Sequence, residues 1–235
     1  MRVLIALATY NERESLPPLV REIFAVLPGA DVLVVDDNSP DGTGGWTQSQ
    51  SAKEPRLKLI RRSGKLGLGS AVLTAMRYAA DNGYDYLINM DADGSHRPHY
   101  IPFLLQKAGE GYSIVIGSRY IKGGGVQNWV WYRRLMSRCI NGYARAMLGL
   151  KTKDNSGSFR CYSVELLRQL DTEKIISKGY SFFEEVLYRL AQLGATFAEV
   201  PIIFVDRRFG KSKINKREAV NALWIMFRIA LQRNQ

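Results

Sequence analysis

Asp91-Ala92-Asp93-Gly94 follows directly on the apolar run Leu87-Ile88-Asn89-Met90. A strand ending in two carboxylates one residue apart presents oxygen ligands at the C-terminal edge of a sheet, where open α/β folds bind their ligands. Hard divalent cations such as Mg²⁺ or Mn²⁺ take such oxygens, commonly one or two carboxylates together with substrate phosphates. The pattern therefore predicts a metal bridging the protein and a diphosphate. Asp and Gly are also common turn residues, and a plain polar turn would use the same four positions.

Two more acidic sites follow strand-like runs. Thr9-Tyr10-Asn11-Glu12 comes after the run Arg2–Ala8, where an aromatic ring and a carboxylate suit a nucleobase. It is not the Gly-x-Gly-x-x-Gly of a dinucleotide site, which argues against a dehydrogenase. Val35-Asp36-Asp37-Asn38-Ser39-Pro40-Asp41-Gly42-Thr43 comes after the run Asp31–Val35. There Asp37 is expected to meet a ribose hydroxyl or base edge and Asp41 to be structural, with Ser39 and Asp41 as candidate helix caps. The glycines of Lys65-Leu66-Gly67-Leu68-Gly69 lack the spacing of a phosphate-cradling loop, so a bend with close backbone packing is expected, with Lys65 a weak candidate.

The cations lie in the second half. Arg119 ends the fifth strand-like run, Ser113–Gly117; Arg133, Arg134 and Arg138 fall on a helix-like stretch. Arg207, Arg208, Lys211 and Lys213 surround Gly210. Arginine binds phosphate oxygens through bidentate, charge-assisted hydrogen bonds. Acidic groups for a metal and a diphosphate, set against arginines for a second phosphate, describe a transfer between two anions.

The elements that must position these residues follow from hydrophobic period. Strand-like runs at Arg2–Ala8, Asp31–Val35, Leu57–Ile60, Tyr86–Met90 and Ser113–Gly117 alternate with helix-like stretches. One of these, Leu16–Leu27, has Ser15 as expected N-cap and Pro17 early in the helix. This alternation implies parallel βαβ units with helices on both faces. In the second half, helices are expected at Trp129–Leu148, Val164–Leu170, Phe182–Leu193 and Lys216–Leu231, with a β segment over Phe197–Val205. In the last helix Val220, Leu223, Trp224, Phe227 and Leu231 form an apolar stripe, widened by Ile225, Met226 and Ile229. Such a helix suits a membrane interface or its own protein core.

Composition narrows the partners. The 235 residues are 46% hydrophobic and 23% charged, as in a folded globular chain. The net charge of +11 is unevenly placed: residues 116–160 carry nine Lys/Arg against one Asp/Glu, while residues 1–115 carry twelve against thirteen. Anionic partners are expected: a phosphorylated substrate, an acidic membrane surface or nucleic acid. Nucleic acid is disfavoured by the lack of interleaved exposed aromatics or a docking helix. No signal segment and no spanning helix are expected. Cys139 and Cys161 are expected to be reduced thiols of a cytosolic protein, and two histidines, neither near a cysteine in sequence, do not suggest zinc.

These motifs together resemble the GT-A-fold inverting glycosyltransferases, most closely the dolichol-phosphate mannosyltransferases (polyprenyl-phosphate mannose synthases). Beyond the segments quoted, the match takes in Ser95-His96, Gly117-Ser118-Arg119-Tyr120, Arg133 with Ser137-Arg138, and Ser156-Gly157-Ser158-Phe159-Arg160. It ends with Glu199-Val200-Pro201-Ile202 and Asp206-Arg207 through Gly210-Lys211-Ser212-Lys213. The resemblance implies a GT-A, Rossmann-like α/β domain over residues 1–235. Residues 1–115 would form its nucleotide-binding half, 116–214 its acceptor half and 215–235 an amphipathic helix. It implies donor contacts to GDP-mannose from Ala8, Tyr10, Glu12, Val35, Asp37, Asp91, Ala92 and Asp93, with Arg207 and Lys213 closing a loop over the site. Asp91, Asp93 and Ser95 would hold Mg²⁺ or Mn²⁺, and Arg119 and Arg133 would grip the phosphate of a polyprenyl (dolichyl) acceptor. Asp93, Arg119 and Arg133 would carry the catalysis. It also implies a peripheral enzyme on the cytosolic face of a membrane, with a possible membrane-anchoring partner protein. A UDP-glucose-dependent glucosyltransferase on the same lipid, or a non-catalytic basic module binding anionic membrane, are the rival expectations. Ala8 stands where the family often has Pro, Gly94 where it often has Leu, and Cys139-Ile140 where Gly-Ala is common.

Overall fold

The computed structural model describes residues 1–177, 179, 181–206 and 216–232. In chain order the first half runs β1 (Val3–Thr9), α1 (Leu16–Val26), β2 (Asp31–Asp36), α2 (Thr43–Ser51), β3 (Leu57–Arg61), α3 (Leu68–Asp81), β4 (Tyr86–Asp91), α4 (Ile101–Gly109) and β5 (Ile114–Ser118). The second half runs β6 (Gly125–Gln127), α5 (Trp131–Leu148), β7 (Arg160–Ser163), α6 (Val164–Arg168), α7 (Phe182–Gln192), β8 (Phe197–Pro201), β9 (Ile203–Val205) and α8 (Lys216–Gln232).

Seven strands form one sheet in the order β3-β2-β1-β4-β7-β5-β8, and β6 pairs with β9 in a small second sheet. The pairings within β3-β2-β1-β4 and between β5 and β8 are parallel, whereas β7 runs antiparallel to both β4 and β5. β1 is an uninterrupted apolar run because both faces of the sheet are covered. Leu4 and Ala6 point into one core with Met76, Phe182 and Met226; Val3, Ile5 and Leu7 point into the other with Leu19, Ile23 and Leu104. α1 buries Leu16, Leu19, Val20 and Ile23, a stripe at helical spacing.

The strand order reverses direction at β1, with β2 and β3 to one side and β4 to the other. That reversal opens the ligand crevice of a doubly wound sheet at the C-terminal ends of β1 and β4. The register sets Ala8 beside Val35 on one side and Asp91 on the other, so three strand ends form a single row.

Four details differ from sequence expectation. β7 was not expected: it has four residues, too short to show a period. The Phe197–Val205 segment is two strands in two different sheets, parted at Ile202, whose backbone N–H donates to Ser118. Ser15 occupies the N-cap of α1, but its hydroxyl donates to the Glu12 carboxylate at 2.8 Å instead of accepting from the helix. Neither Ser39 nor Asp41 is the N-cap of α2; Gly42 is, in the left-handed region, and Asp41 reaches past it to accept from the Thr43 amide and hydroxyl.

Candidate active site at the carboxyl edge of the sheet

The row Val35, Ala8, Asp91 is the floor of the site. Val35 and Ala92 are buried. Asp91 ends β4, and its carboxylate accepts from Ser158 Oγ at 2.7 Å. Asp93 accepts the Ser95 amide at 3.0 Å, closing a turn that Gly94 completes with φ 76° and open space where a Cβ would stand. A larger residue there would be strained, which accounts for the glycine. Ser95 is buried, and its hydroxyl has no hydrogen-bond partner among the described residues. A buried orphan hydroxyl next to two carboxylates fits an oxygen-liganded divalent cation. Among the described residues, no cluster of three or more His, Cys, Asp or Glu could hold an ion by itself. A metal here would draw further ligands from substrate and water.

His96 backs this turn. Its Nδ1 accepts the Asp91 amide at 3.1 Å, and its ring stacks on Phe159 and meets Phe204 edge-on. Burial holds its pKa below the ordinary imidazole value, against the pull of Asp91 and Asp93. The neutral ring with Nδ1 accepting therefore outweighs an ion pair with Asp91 at 3.8 Å.

On the side of β1 and β2, Asn11 and Asn38 take left-handed backbone at the strand ends, a conformation asparagine tolerates. Glu12 donates its amide to Thr43 Oγ1, and Lys65 Nζ lies 4.5 Å from the Tyr10 ring centroid. Asp37 is buried. One carboxylate oxygen pairs with the Arg62 guanidinium, and the other accepts the Leu66 and Gly67 amides at 3.1 Å each. A carboxylate has about four acceptor positions. A nucleoside hydroxyl reaching Asp37 would therefore displace one of these bonds. The Lys65–Gly69 segment is the expected bend with close packing: a Cβ on Gly69 would meet the Phe182 ring at 2.8 Å. Asp41 is structural, as expected, and its carboxyl lies below the usual range: burial pushes it up, and its bonds from Thr43 and the Arg13 amide more than offset this.

The side of the crevice that carries Arg119 is built by β7. Because β7 is antiparallel, its start, and Ser156 to Phe159 before it, lie at the same edge as the ends of β4 and β5. Arg119, just past β5, is buried and bidentate to Asp154: Nε and Nη2 each donate at 2.7 Å, and Nη2 also reaches Ser156. Three of the five guanidinium protons are thus committed, and an anion would address the Nη1 edge. Burial pushes the Asp154 carboxyl up, and Arg119 more than offsets it, so the acid stays below the usual range and ionised. Asp154 in turn accepts the Gly157 amide, while Glu199 accepts the Lys153 and Asp154 amides. Arg133, on α5, donates to Asp206 at 2.8 Å and lies 4.1 Å from the Trp129 ring centroid. Arg207 and Lys213 fall outside the described residues.

Asp154, Ser158, Trp129 and Arg62 were not singled out from sequence. Asp154 did carry a signal, as the one acid among nine Lys/Arg in residues 116–160. A lone carboxylate in a basic block is a natural counter-ion.

Residues 4–171 match the model of glycosyl transferase family 2. The chain belongs to glycosyl transferase family 2. Within it, the chain is similar to undecaprenyl-phosphate mannosyltransferase of Micrococcus luteus, at 44% identity over 92% of this chain and 88% of that one. It is similar also to polyprenol monophosphomannose synthase of Mycolicibacterium smegmatis, at 40% identity over 97% and 86%. Among solved structures, glucosyl-3-phosphoglycerate synthase from Mycobacterium tuberculosis superposes with a TM-score of 0.68 at 19% identity, over 95% of this chain and 79% of that one. That likeness shows the GT-A-like fold: a mostly parallel sheet flanked by helices.

Proposed function

We propose that this chain is an inverting mannosyltransferase that moves mannose from GDP-mannose to the phosphate of a polyprenyl phosphate, giving polyprenyl β-mannosyl phosphate. The observation that carries this is the division of the sheet edge. Asp91, Asp93 and the orphan Ser95 hydroxyl stand at the end of β4, and Arg119 and Arg133 stand across from them beyond β5 and on α5. The activities named for the two mannosyl-transferring relatives support the same reading.

Ala8, Tyr10, Glu12, Val35, Asp37 and Ala92 border the nucleoside side; Arg207 and Lys213 belong to the donor side by resemblance. Asp91, Asp93 and Ser95 Oγ would hold Mg²⁺ or Mn²⁺, which when bound supplies Lewis-acid stabilisation of the leaving diphosphate. The acceptor phosphate is largely dianionic at neutral pH, so no base is needed to deprotonate it. Arg119 and Arg133 offset the repulsion between the two anions and align the attacking oxygen with the anomeric carbon. Asp154 keeps Arg119 in place. Attack opposite the leaving group inverts the anomeric centre.

A membrane-borne acceptor needs a surface to meet it. α8 docks on the protein through Ala222, Met226 and Ile229 and exposes Leu223, Trp224, Phe227 and Leu231. α5, packed beside it, exposes Trp131, Tyr132, Leu135 and Met136. Among the described residues, no helix is long and apolar enough to cross a membrane. The exposed apolar residues of α5 and α8 support a reading of peripheral attachment, on this proposal at a cytosolic membrane face, with or without an anchoring partner protein.

Thermal stabilisation tests the donor half. GDP with Mn²⁺ should raise the melting temperature more than UDP with Mn²⁺. Asp93→Asn should abolish the metal-dependent part of the shift and lower transfer by roughly a hundredfold or more, the scale of losing several kcal/mol of charge stabilisation. An Asp93→Asn variant with undiminished metal-dependent stabilisation would remove Asp93 from the site.

A further inference from the structure

Trp129 sits immediately before α5, whose N-cap is Val130. It is only 8% exposed, yet its indole Nε1–H is buried with no hydrogen-bond partner among the described residues. Its ring is close to both guanidinium groups proposed to hold the acceptor phosphate: Arg133 lies 4.1 Å and Arg119 5.6 Å from the ring centroid, with Phe204 edge-on at 5.5 Å. Indole is a donor only, so an orphan indole N–H calls for an acceptor, and leaving it unmet is costly. Two cations at the same ring make an anionic oxygen the acceptor the site attracts. The first turn of the 18-residue α5, which carries Arg133, adds its partial positive charge.

We propose that Trp129 is a phosphate-binding residue, donating its indole N–H to an oxygen of the acceptor phosphate between Arg119 and Arg133. This rests on the acceptor being a phosphate, as argued above. The role is distinct from stacking. Beside its cation–π contacts with the two guanidinium groups, the indole contributes a neutral donor that neither arginine supplies. Phosphate oxygens also come from the donor diphosphate, and the assignment here is to the acceptor.

Four tryptophans give four indole N–H resonances in a ¹⁵N-labelled sample, and Trp129→Phe identifies the one from Trp129 by its loss. Titrating wild-type protein with a water-soluble short-chain isoprenyl phosphate should move that resonance downfield; GDP with Mg²⁺ should leave it in place. Trp129→Phe keeps an aromatic face but lacks the N–H. Its affinity for the isoprenyl phosphate should fall roughly ten- to hundredfold, as for one hydrogen bond to a charged group, with GDP affinity unchanged. A resonance unmoved at saturating isoprenyl phosphate, one moved by GDP alone, or a Trp129→Phe affinity within twofold of wild type would each overturn the proposal. If Trp129→Phe fails to fold, Trp129→Tyr identifies the resonance and the wild-type titration still decides. Mannose transfer by the same wild-type sample separates the two claims. Transfer with an unmoved indole sinks the Trp129 assignment alone, and a moved indole without transfer sinks the mannosyltransferase reading alone.

Discussion

Glu184, on α7, is 2% exposed, and one of its carboxylate oxygens has no partner among the described residues. Burial pushes its pKa up to about 7, against the lowering influence of Arg160 and Arg119. In the unfolded chain the same group titrates near 4.5. Between those values the folded state retains a proton that the unfolded state has released, so stability falls as pH rises through this window and levels off above it. Glu184→Gln removes that titration. Denaturant unfolding should show the variant gaining on wild type by roughly 2–4 kcal/mol between pH 4.5 and pH 8; a gap independent of pH would show that Glu184 does not carry a buried proton. At this scale the sequence was partly legible. Asp91, Asp93, Arg119 and Arg133 stand where local pattern put them, at the ends of β4 and β5 and on α5, because a polar residue that closes an apolar run falls at a strand end. Their partners were not legible. Asp154 lies 35 residues from Arg119, and Ser158 lies 67 from Asp91, and only β7 brings either pair together.

Among the elements, those with a full period were readable. The alternation of apolar runs and amphipathic stretches gives β1 to β5 and their helices within a residue or two, since parallel strands covered on both faces need continuous apolar runs. β7 was hidden because Arg160-Cys161-Tyr162-Ser163 is short and carries an arginine that the fold buries completely, with its guanidinium bonded to the Phe183 and Asn155 carbonyls. Sequence weighed two uses for α8, membrane and core, and the helix serves its own core through one face while leaving another exposed. Exposed residues contribute little to stability. Replacing Trp224, Phe227 and Leu231 together by serine should therefore release the protein from anionic lipid vesicles in a sedimentation assay while moving the melting temperature little. Vesicle binding undiminished in that variant would place the membrane contact elsewhere.

Over the whole molecule, charge is laid out as the chemistry requires. The first 115 residues are near neutral and supply the acidic edge; residues 116–160 and 205–235 supply the cations, with nine and eight Lys/Arg against one and two acids. On the proposed function, the basic second half would draw an anionic lipid surface towards the arginines while the near-neutral first half keeps the carboxylates proposed to hold a metal. The halves also interlock, since β7 and β8 of the second half complete the sheet begun by the first. Metal removal should silence the enzyme without unfolding it, because the sheet does not depend on the ion. The decisive measurement offers labelled GDP-mannose and UDP-glucose separately, with a short-chain polyprenyl phosphate, in Mn²⁺ and after chelation. Mannose should pass to the lipid phosphate with inversion, in the presence of metal only, and glucose should not. Failure of mannose to reach the lipid under any of these conditions, or preferential transfer of glucose, would contradict the assignment.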